Sequence, residues 1–230
     1  MTFDHIYVIS LRKDKERREK TTERLNAINM EFEFFDAYDG KLFTHLCKKL
    51  DNPFYTNPFY VACNLTHLAV YNDALSNGYK KILILEDDVV PHKNYHAMMD
   101  IIEKQIPEDY DLLYFGWIPL TDDKQYWSYS VIDSQFINQN IFLSKNLWGL
   151  YAYSITENFM KELVELYNNS FPMEIDRYFV STNSIKKSYG IRPQMFAHDY
   201  GISNNTGVID DSTFSKSIDM RIAKIEDYLI

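Results

Sequence analysis

Glu86, Asp87 and Asp88 stand in a row at the end of an apolar run, Lys81-Ile82-Leu83-Ile84-Leu85. Aliphatic residues that stop abruptly at carboxylates describe a buried strand whose tip leaves the core. In open α/β sheets ligands bind beyond that edge, so clustered acids there point to a hard divalent cation. Acidic residues also follow strands merely to solvate a loop or to cap the next helix, and the triplet alone leaves both readings open.

Other polar residues fall at the ends of neighbouring predicted strands. Arg12, Arg17 and Arg18 follow the apolar run Ile6–Leu11, and Asp36 and Asp39 follow Glu31–Phe35. If these strands lie side by side, the set describes a nucleotide-sugar site: a carboxylate near the base or ribose, a metal on the diphosphate and cations nearby. Departure of a nucleoside diphosphate builds negative charge on phosphate oxygens, which a carboxylate-held divalent metal stabilises without proton transfer. Acids without the metal would repel that substrate.

The elements that must position these groups follow from apolar periodicity. A charged helix is expected from about Asp14 to Ile28, docking through Leu25 and Ile28, and a second from Asn64 to Asn77, closed by Gly78. Lys41 to Tyr60, with Asn52, Pro53, Asn57 and Pro58 among aromatics, is expected as a long irregular loop. After Pro91, Tyr95, Met98, Met99, Ile102 and Ile106 share one helical face that stops at Pro107. Asp111–Trp117 and Leu147–Ile155 are expected as strands, with loop or short strands over 118–140. Helices are expected over Glu157–Tyr167 and from near Glu174, and a short extended piece over Tyr189–Ala197. His198–Ser217 has loop composition, and Ile218, Ile222, Ile225 and Leu229 predict a C-terminal helix packed on its own domain. Alternating strands and helices imply a largely parallel sheet covered on both faces.

Bulk composition narrows the function. The chain has 230 residues, 46% of them hydrophobic, enough for one large packed α/β domain. A net charge of −9 opposes a broad nucleic-acid or anionic-lipid footprint. No apolar run approaches the roughly 20 residues needed to span a bilayer, and Asp4 and His5 interrupt a secretory leader, so a soluble, intracellular protein is expected. Cys47 and Cys63 lack CxxC spacing and are expected as small buried or partly buried thiols.

Several segments, in order, carry a family resemblance: Ile6-Tyr7-Val8-Ile9-Ser10-Leu11 with Arg17-Arg18, Phe35-Asp36-Ala37-Tyr38-Asp39-Gly40, Ala62-Cys63-Asn64-Leu65-Thr66-His67, Leu83–Val89, Gly149–Ile155 and Ile175-Asp176-Arg177-Tyr178. Together they cover most of the chain, which resembles glycosyltransferase family 25, the family of bacterial lipooligosaccharide and collagen galactosyltransferases. Thr66 stands where serine usually precedes His67, and Ala62 where glycine is common. The first difference preserves a hydroxyl; the second alters a local turn.

The resemblance implies a GT-A-type, Rossmann-like, mixed and mostly parallel sheet with helices on both faces. It implies one domain, with a nucleotide-sugar half over 1–117 and an acceptor half over 118–230. It further implies a UDP-galactose or UDP-glucose donor, Mn²⁺, and transfer with inversion to a hydroxyl of a glycan, a lipooligosaccharide or a hydroxylysine-type acceptor. The acceptor would be the protein's only tie to a membrane. Carried over by position, Asp88 and Asp87 hold the metal, Asp88 the more direct, while Glu86 orients the ribose or supports the ligands. Leu11, Arg12, Arg17, Arg18, Asp36, Asp39, Thr66, His67, Glu86 and Asp87 are the expected donor-binding residues. Inversion needs a base for the acceptor hydroxyl, for which Asp176 is the candidate and Glu174 the fallback. Asp176 has an ordinary alternative as a helix N-terminal carboxylate binding backbone amides. His198, beside Asp199 in the late loop, is a further candidate metal ligand. His67 serves either phosphate or a buried carbonyl.

Aromatic residues make up 16% of the chain, and Trp117, Tyr126, Trp127 and Trp148 border the expected site, although rings of this kind more often fill cores than clefts. A receiver domain would want its acidic pair on the first strand and a later Lys, and a haloacid-type phosphatase would want Asp-x-Asp with a following Thr; neither pattern is present. A non-catalytic nucleotide-sugar-binding module of the same fold is the remaining alternative, against which stands the retention of the acids and of Asp176.

Overall fold

A computed structural model of the protein describes residues 3–47, 57–120, 128–133, 135–170, 173–182, 186–199 and 216–230. β1 (His5–Ser10) leads into α1 (Lys15–Ala27), which returns the chain to β2 (Glu33–Asp36). A 3₁₀ turn (Gly40–Phe43) and the short α2 (Thr44–Cys47) precede α3 (Pro58–Ser76), β3 (Lys81–Glu86) and β4 (Val89–Pro91). α4 (Tyr95–Ile102), β5 (Leu112–Tyr114), β6 (Ile118–Pro119), β7 (Ile141–Leu143), β8 (Leu147–Trp148) and β9 (Ala152–Thr156) follow. α5 (Glu157–Asn169), α6 (Ile175–Thr182), β10 (Ser188–Ile191) and β11 (Phe196–His198) complete the regular elements.

The main sheet has seven strands in the order β2-β1-β3-β9-β5-β10-β7. Side-chain alternation builds a core on each face. Tyr7, Ile9, Ile82, Ile84, Tyr153 and Ile155 meet α3 through Leu68, Tyr71 and Ala74, and α5 through Phe159, Met160 and Leu163. Val8, Leu83, Leu85 and Ala152 meet Leu25 and Ile28 at the end of α1, and Tyr95, Met99 and Ile102 of α4. Val8, Ile82, Leu83, Ile84 and Leu85 are fully buried, which is why the central strands are continuous apolar runs.

The sheet is mixed, as expected, but only half of its strand pairings are parallel. β2, β1 and β3 run parallel, as do β5 and β10, but β9 lies antiparallel between β3 and β5, and β7 is antiparallel to β10. The expected Leu147–Ile155 strand breaks at Gly149, whose φ of 94° is accessible to glycine at little cost. Leu147–Trp148 therefore pairs with β6, while Ala152–Thr156 turns into the main sheet.

Three boundaries also differ. α3 starts at Pro58 rather than Asn64: Asn57 accepts a 2.9 Å bond from the Phe59 amide, and proline is favoured at the first helical position. Residues expected as loop thus begin a helix, while 48–56 lie outside the described residues. α4 gives way after Ile102 to a 3₁₀ turn over Glu103–Gln105. The expected C-terminal helix is absent among the described residues, which form turns and a 3₁₀ turn at Ile225–Asp227. There Asp219 binds the amide and guanidinium of Arg221 and pairs with Arg192, Asp227 accepts from the Lys224 amide, and Leu229 donates to the Pro91 carbonyl. Such side-chain bonds to the backbone compete with helix formation. Ile218, Ala223 and Tyr228 instead cover Val90 and Ala197, and Ile222 is left exposed.

Among the described residues no helix is long and apolar enough to cross a membrane. Cys47 is buried and Cys63 half-buried, both free. Trp117 is a core residue, its indole N–H donating to the Ile191 carbonyl, and Trp148 is half-buried; Tyr126 and Trp127 lie outside the described residues.

Candidate functional site

Parallel pairing of β1 with β3 places Ile9 opposite Glu86, so both strands end at one edge. Asp87 and Asp88 form the turn from β3 to β4. Ser10 Oγ donates to Asp87 Oδ2 at 2.5 Å, and Arg17, in the first turn of α1, donates through Nε to Asp87 Oδ1 at 2.8 Å and through Nη2 to Asp88 Oδ2 at 2.8 Å. One turn further along α1, Thr21 Oγ1 donates to the Asp87 carbonyl at 2.6 Å. The guanidinium is a planar fork that spans both carboxylates, a task a lysine ammonium could not perform.

β11 pairs antiparallel with β4 and sets His198 opposite Val89. His198 Nε2 lies 3.3 Å from Asp88 Oδ2, and its Nδ1 lies 2.9 Å from the Asp199 carbonyl. With Nδ1–H bonded to that carbonyl, Nε2–H of the protonated ring points at Asp88, and loss of that proton frees the Nε2 electron pair for a metal. Burial alone would lower the imidazole pKa, but Asp88 prevails and raises it to about 9. Asp88, although burial opposes its charge, is held well below the usual carboxylate range by His198 and then Arg17. Burial lifts Asp87 to about 6 against the pull of Arg17. Asp199 turns away from this site: Lys20 and Arg24 of α1 each reach its Oδ2 at 2.8 Å.

Ser10, Leu11, Arg17, Tyr38, Phe59, Cys63, Thr66, His67, Glu86, Asp87, Asp88 and His198 line one cleft at this edge. The structure thus brings together eight of the residues singled out from sequence: Leu11, Arg17, Thr66, His67, Glu86, Asp87, Asp88 and His198. Arg12, Arg18, Asp36, Asp39, Glu174 and Asp176 are not among the lining residues. Arg18 donates to Asp36 at 2.6 Å and to the Ser10 carbonyl, Arg12 lies 3.8 Å from Asp36, and Asp39 pairs with Lys13 and accepts from the Lys41 amide. Thr66 Oγ1 donates to the Ala62 carbonyl and accepts from the Tyr38 amide at 3.0 Å, tying α3 to the segment after β2. His67 does not meet the expected buried carbonyl; its Nδ1 lies 2.7 Å from the Tyr153 hydroxyl.

Asp176 sits in the first turn of α6. No described backbone amide donates to its carboxylate, and burial, then Glu86 and Glu174, raise its pKa to about 7. Glu174 Oε2 lies 3.3 Å from Arg177 Nε as an ion pair and has no hydrogen-bond partner among the described residues.

Asp88 Oδ1 is buried and has no hydrogen-bond partner among the described residues. A bare carboxylate oxygen beside an imidazole suits a divalent cation of the Mn²⁺ type, which accepts oxygen and nitrogen donors, so the residues present fit the implied metal. Both Asp87 oxygens are already engaged, which sets it apart from Asp88 as a ligand. Sequence reading did not single out Ser10, Cys63, Tyr38 or Phe59 as cleft residues. Cys63 had a usable signal, lying four residues before His67 and just ahead of the expected helix; Ser10 had only its place at a strand tip.

Residues 3–179 match the model of glycosyltransferase family 25 (LPS biosynthesis protein), and the chain belongs to that family. It is 29% identical over 141 residues to a "Glycosyltransferase 25 family member" of Drosophila pseudoobscura pseudoobscura, covering 55% of this chain and 22% of that one. It is 26% identical over 186 residues to a "Putative glycosyltransferase" of Haemophilus influenzae, covering 74% and 60%. To "Procollagen galactosyltransferase 2" of Homo sapiens it is 30% identical over 131 residues, covering 50% and 21%. The chain therefore spans between about a fifth and three fifths of the length of these relatives.

Proposed function

We propose that the chain is a metal-dependent, inverting hexosyltransferase of GT-A type, moving galactose or glucose from a UDP-sugar to a hydroxyl of a glycan, lipooligosaccharide or collagen-like acceptor. The observation that carries this reading is the buried, unbonded Asp88 Oδ1 beside His198 at the mouth of a cleft formed by the β1 and β3 tips. In this reading Asp88 and His198 hold Mn²⁺, and Asp87 joins them only by releasing Ser10 or Arg17. When bound, the metal supplies positive charge that stabilises the departing diphosphate.

The protein's own groups do the rest. Arg17 holds the two aspartates in place and adds a cation at the diphosphate. Asp176, raised to about 7, takes the proton of the acceptor hydroxyl as that oxygen bonds to the anomeric carbon and the UDP oxygen leaves. Glu174 is the fallback base. Leu11, Arg12, Arg18, Asp36, Asp39, Thr66, His67 and Glu86 remain the proposed donor-side residues, those at the exposed rim only by exchanging their present partners for the nucleotide. In this reading the donor half, 1–117, and the acceptor half, 118–230, share the site, with His198 as the contribution of the second half.

The test is turnover of UDP-galactose and UDP-glucose with and without Mn²⁺, read as UDP release. Metal-dependent turnover that disappears in Asp88→Ala supports the reading. Absence of metal-dependent turnover with both donors overturns it and favours a binding module.

A further inference from the structure

The same cleft carries a second, different set of donor atoms. Cys63 and His67 lie one turn apart on α3, so their side chains share a face, and Glu86 approaches from the tip of β3. One ligand atom from each lies within 4.8 Å of the other two. His67 is 1% exposed, and its Nδ1 meets the Tyr153 hydroxyl at 2.7 Å, which in turn meets the Tyr71 hydroxyl at 2.6 Å. With Nδ1–H donated into that buried chain, the electron pair of the ring sits on Nε2, which faces Glu86 Oε1 at 3.8 Å, beyond hydrogen-bond length. A hydrogen-bond partner behind the ring that fixes its aim is the usual support for an imidazole ligand, and the Tyr153 hydroxyl can play that part by accepting Nδ1–H.

We propose that Cys63 Sγ, His67 Nε2 and Glu86 form a second cation site, selective for a zinc-like ion. The donor set is sulfur, nitrogen and oxygen, with the fourth position open to the cleft. Softness separates this site from the Asp88–His198 pair: a thiolate favours Zn²⁺ or Co²⁺, whereas the carboxylate and imidazole pair accepts harder ions. On binding, the Sγ–H bond breaks, its proton passes to solvent, and the sulfur electron pair forms the bond to the metal. The site shares His67 and Glu86 with the donor-side residues proposed above, but its test is independent of that reading, since its ligand is the metal alone.

Titrating Co²⁺ into the full chain under reducing conditions tests it. The expected result is a thiolate-to-cobalt charge-transfer band in the near ultraviolet, displaced by Zn²⁺. The band should be lost in Cys63→Ser and Cys63→Ala, retained in Cys47→Ser and retained in Asp88→Ala, and His67→Gln should weaken Zn²⁺ binding at least tenfold. Circular dichroism confirms that each variant is folded, and His67→Gln serves where a Cys63 variant is not. No band in the natural protein, a band that survives in folded Cys63→Ser, or unchanged Zn²⁺ affinity in His67→Gln overturns the proposal.

Discussion

Asp88 and Asp176 are both acidic side chains near one cleft, yet their surroundings push them in opposite directions. His198 and Arg17 hold Asp88 ionised, while burial with Glu86 and Glu174 keeps a proton on Asp176 up to about pH 7. Replacing Asp88 by Ala should reduce Mn²⁺-dependent UDP release by about 100-fold or more, the scale of losing one electrostatic stabiliser of the transition state. If Asp176 is the base, kcat/KM should rise with pH through about 7 and then level, and Asp176→Asn should abolish both the activity and the slope. Stability gives a readout of Asp176 that does not depend on turnover. Its folded pKa lies above the unfolded value, so the folded state binds more protons between about pH 4 and 7 and loses stability as pH rises through that window. Asp176→Asn should therefore raise the melting temperature at pH 8 relative to the natural protein, and by more than at pH 5. An equal change at both pH values would show that this carboxyl is not perturbed. The acids at the β3 tip were legible in sequence because a strand end and a charge run are local patterns. Their partners were not, since neither Ser10 nor the second role of Arg17 leaves a trace in spacing.

The elements place these residues through a few specific ties. Asp199, at the end of β11, is clamped to α1 by Lys20 and Arg24, and its amide donates to the Asp88 carbonyl at 2.7 Å. That clamp keeps His198 beside Asp88. Asp199→Ala would leave Arg24, which is 5% exposed, without its carboxylate, at a cost of about 3 kcal/mol measurable by urea unfolding. Gly40 is fixed by sterics of another kind: a Cβ there would lie 2.7 Å from the backbone Cα of Phe59, so Gly40→Ala should push the turn after β2 away from α3 and lower the melting temperature. Element type followed from apolar period for α1, α3, β3 and α5. The start of α3 was legible too, in Asn57-Pro58, but the same residues also fit a loop, and only the 2.9 Å Asn57 cap separates the two. Strand direction left no local signal, so nothing in the sequence marked β9 as the antiparallel strand between β3 and β5.

Across the whole molecule, the C-terminal segment seals the small β4–β11 sheet that carries His198. Tyr228 is 1% exposed, packs with Val90 and Ala197, and donates to the Gln194 carbonyl at 2.9 Å. Tyr228→Ala should destabilise the fold by about 3 kcal/mol, the usual scale for removing a buried aromatic, and a midpoint shift of under 1 kcal/mol would show that the segment is not part of the cooperative unit.

By itself the sequence determined most of the strands and helices, that two faces of a sheet are covered, and that three carboxylates stand at one strand tip. Those outcomes depend on periods of two and 3.6 residues and on turn residues, all of them short-range. Only the tertiary structure decided that β9 runs against its neighbours, that the tail covers β4 and β11 without forming a helix, and that His198 faces Asp88 while Asp199 turns to α1. Each of these balances strand pairing and buried charge between residues distant in the chain, and such energies are set by which surfaces the whole core brings together.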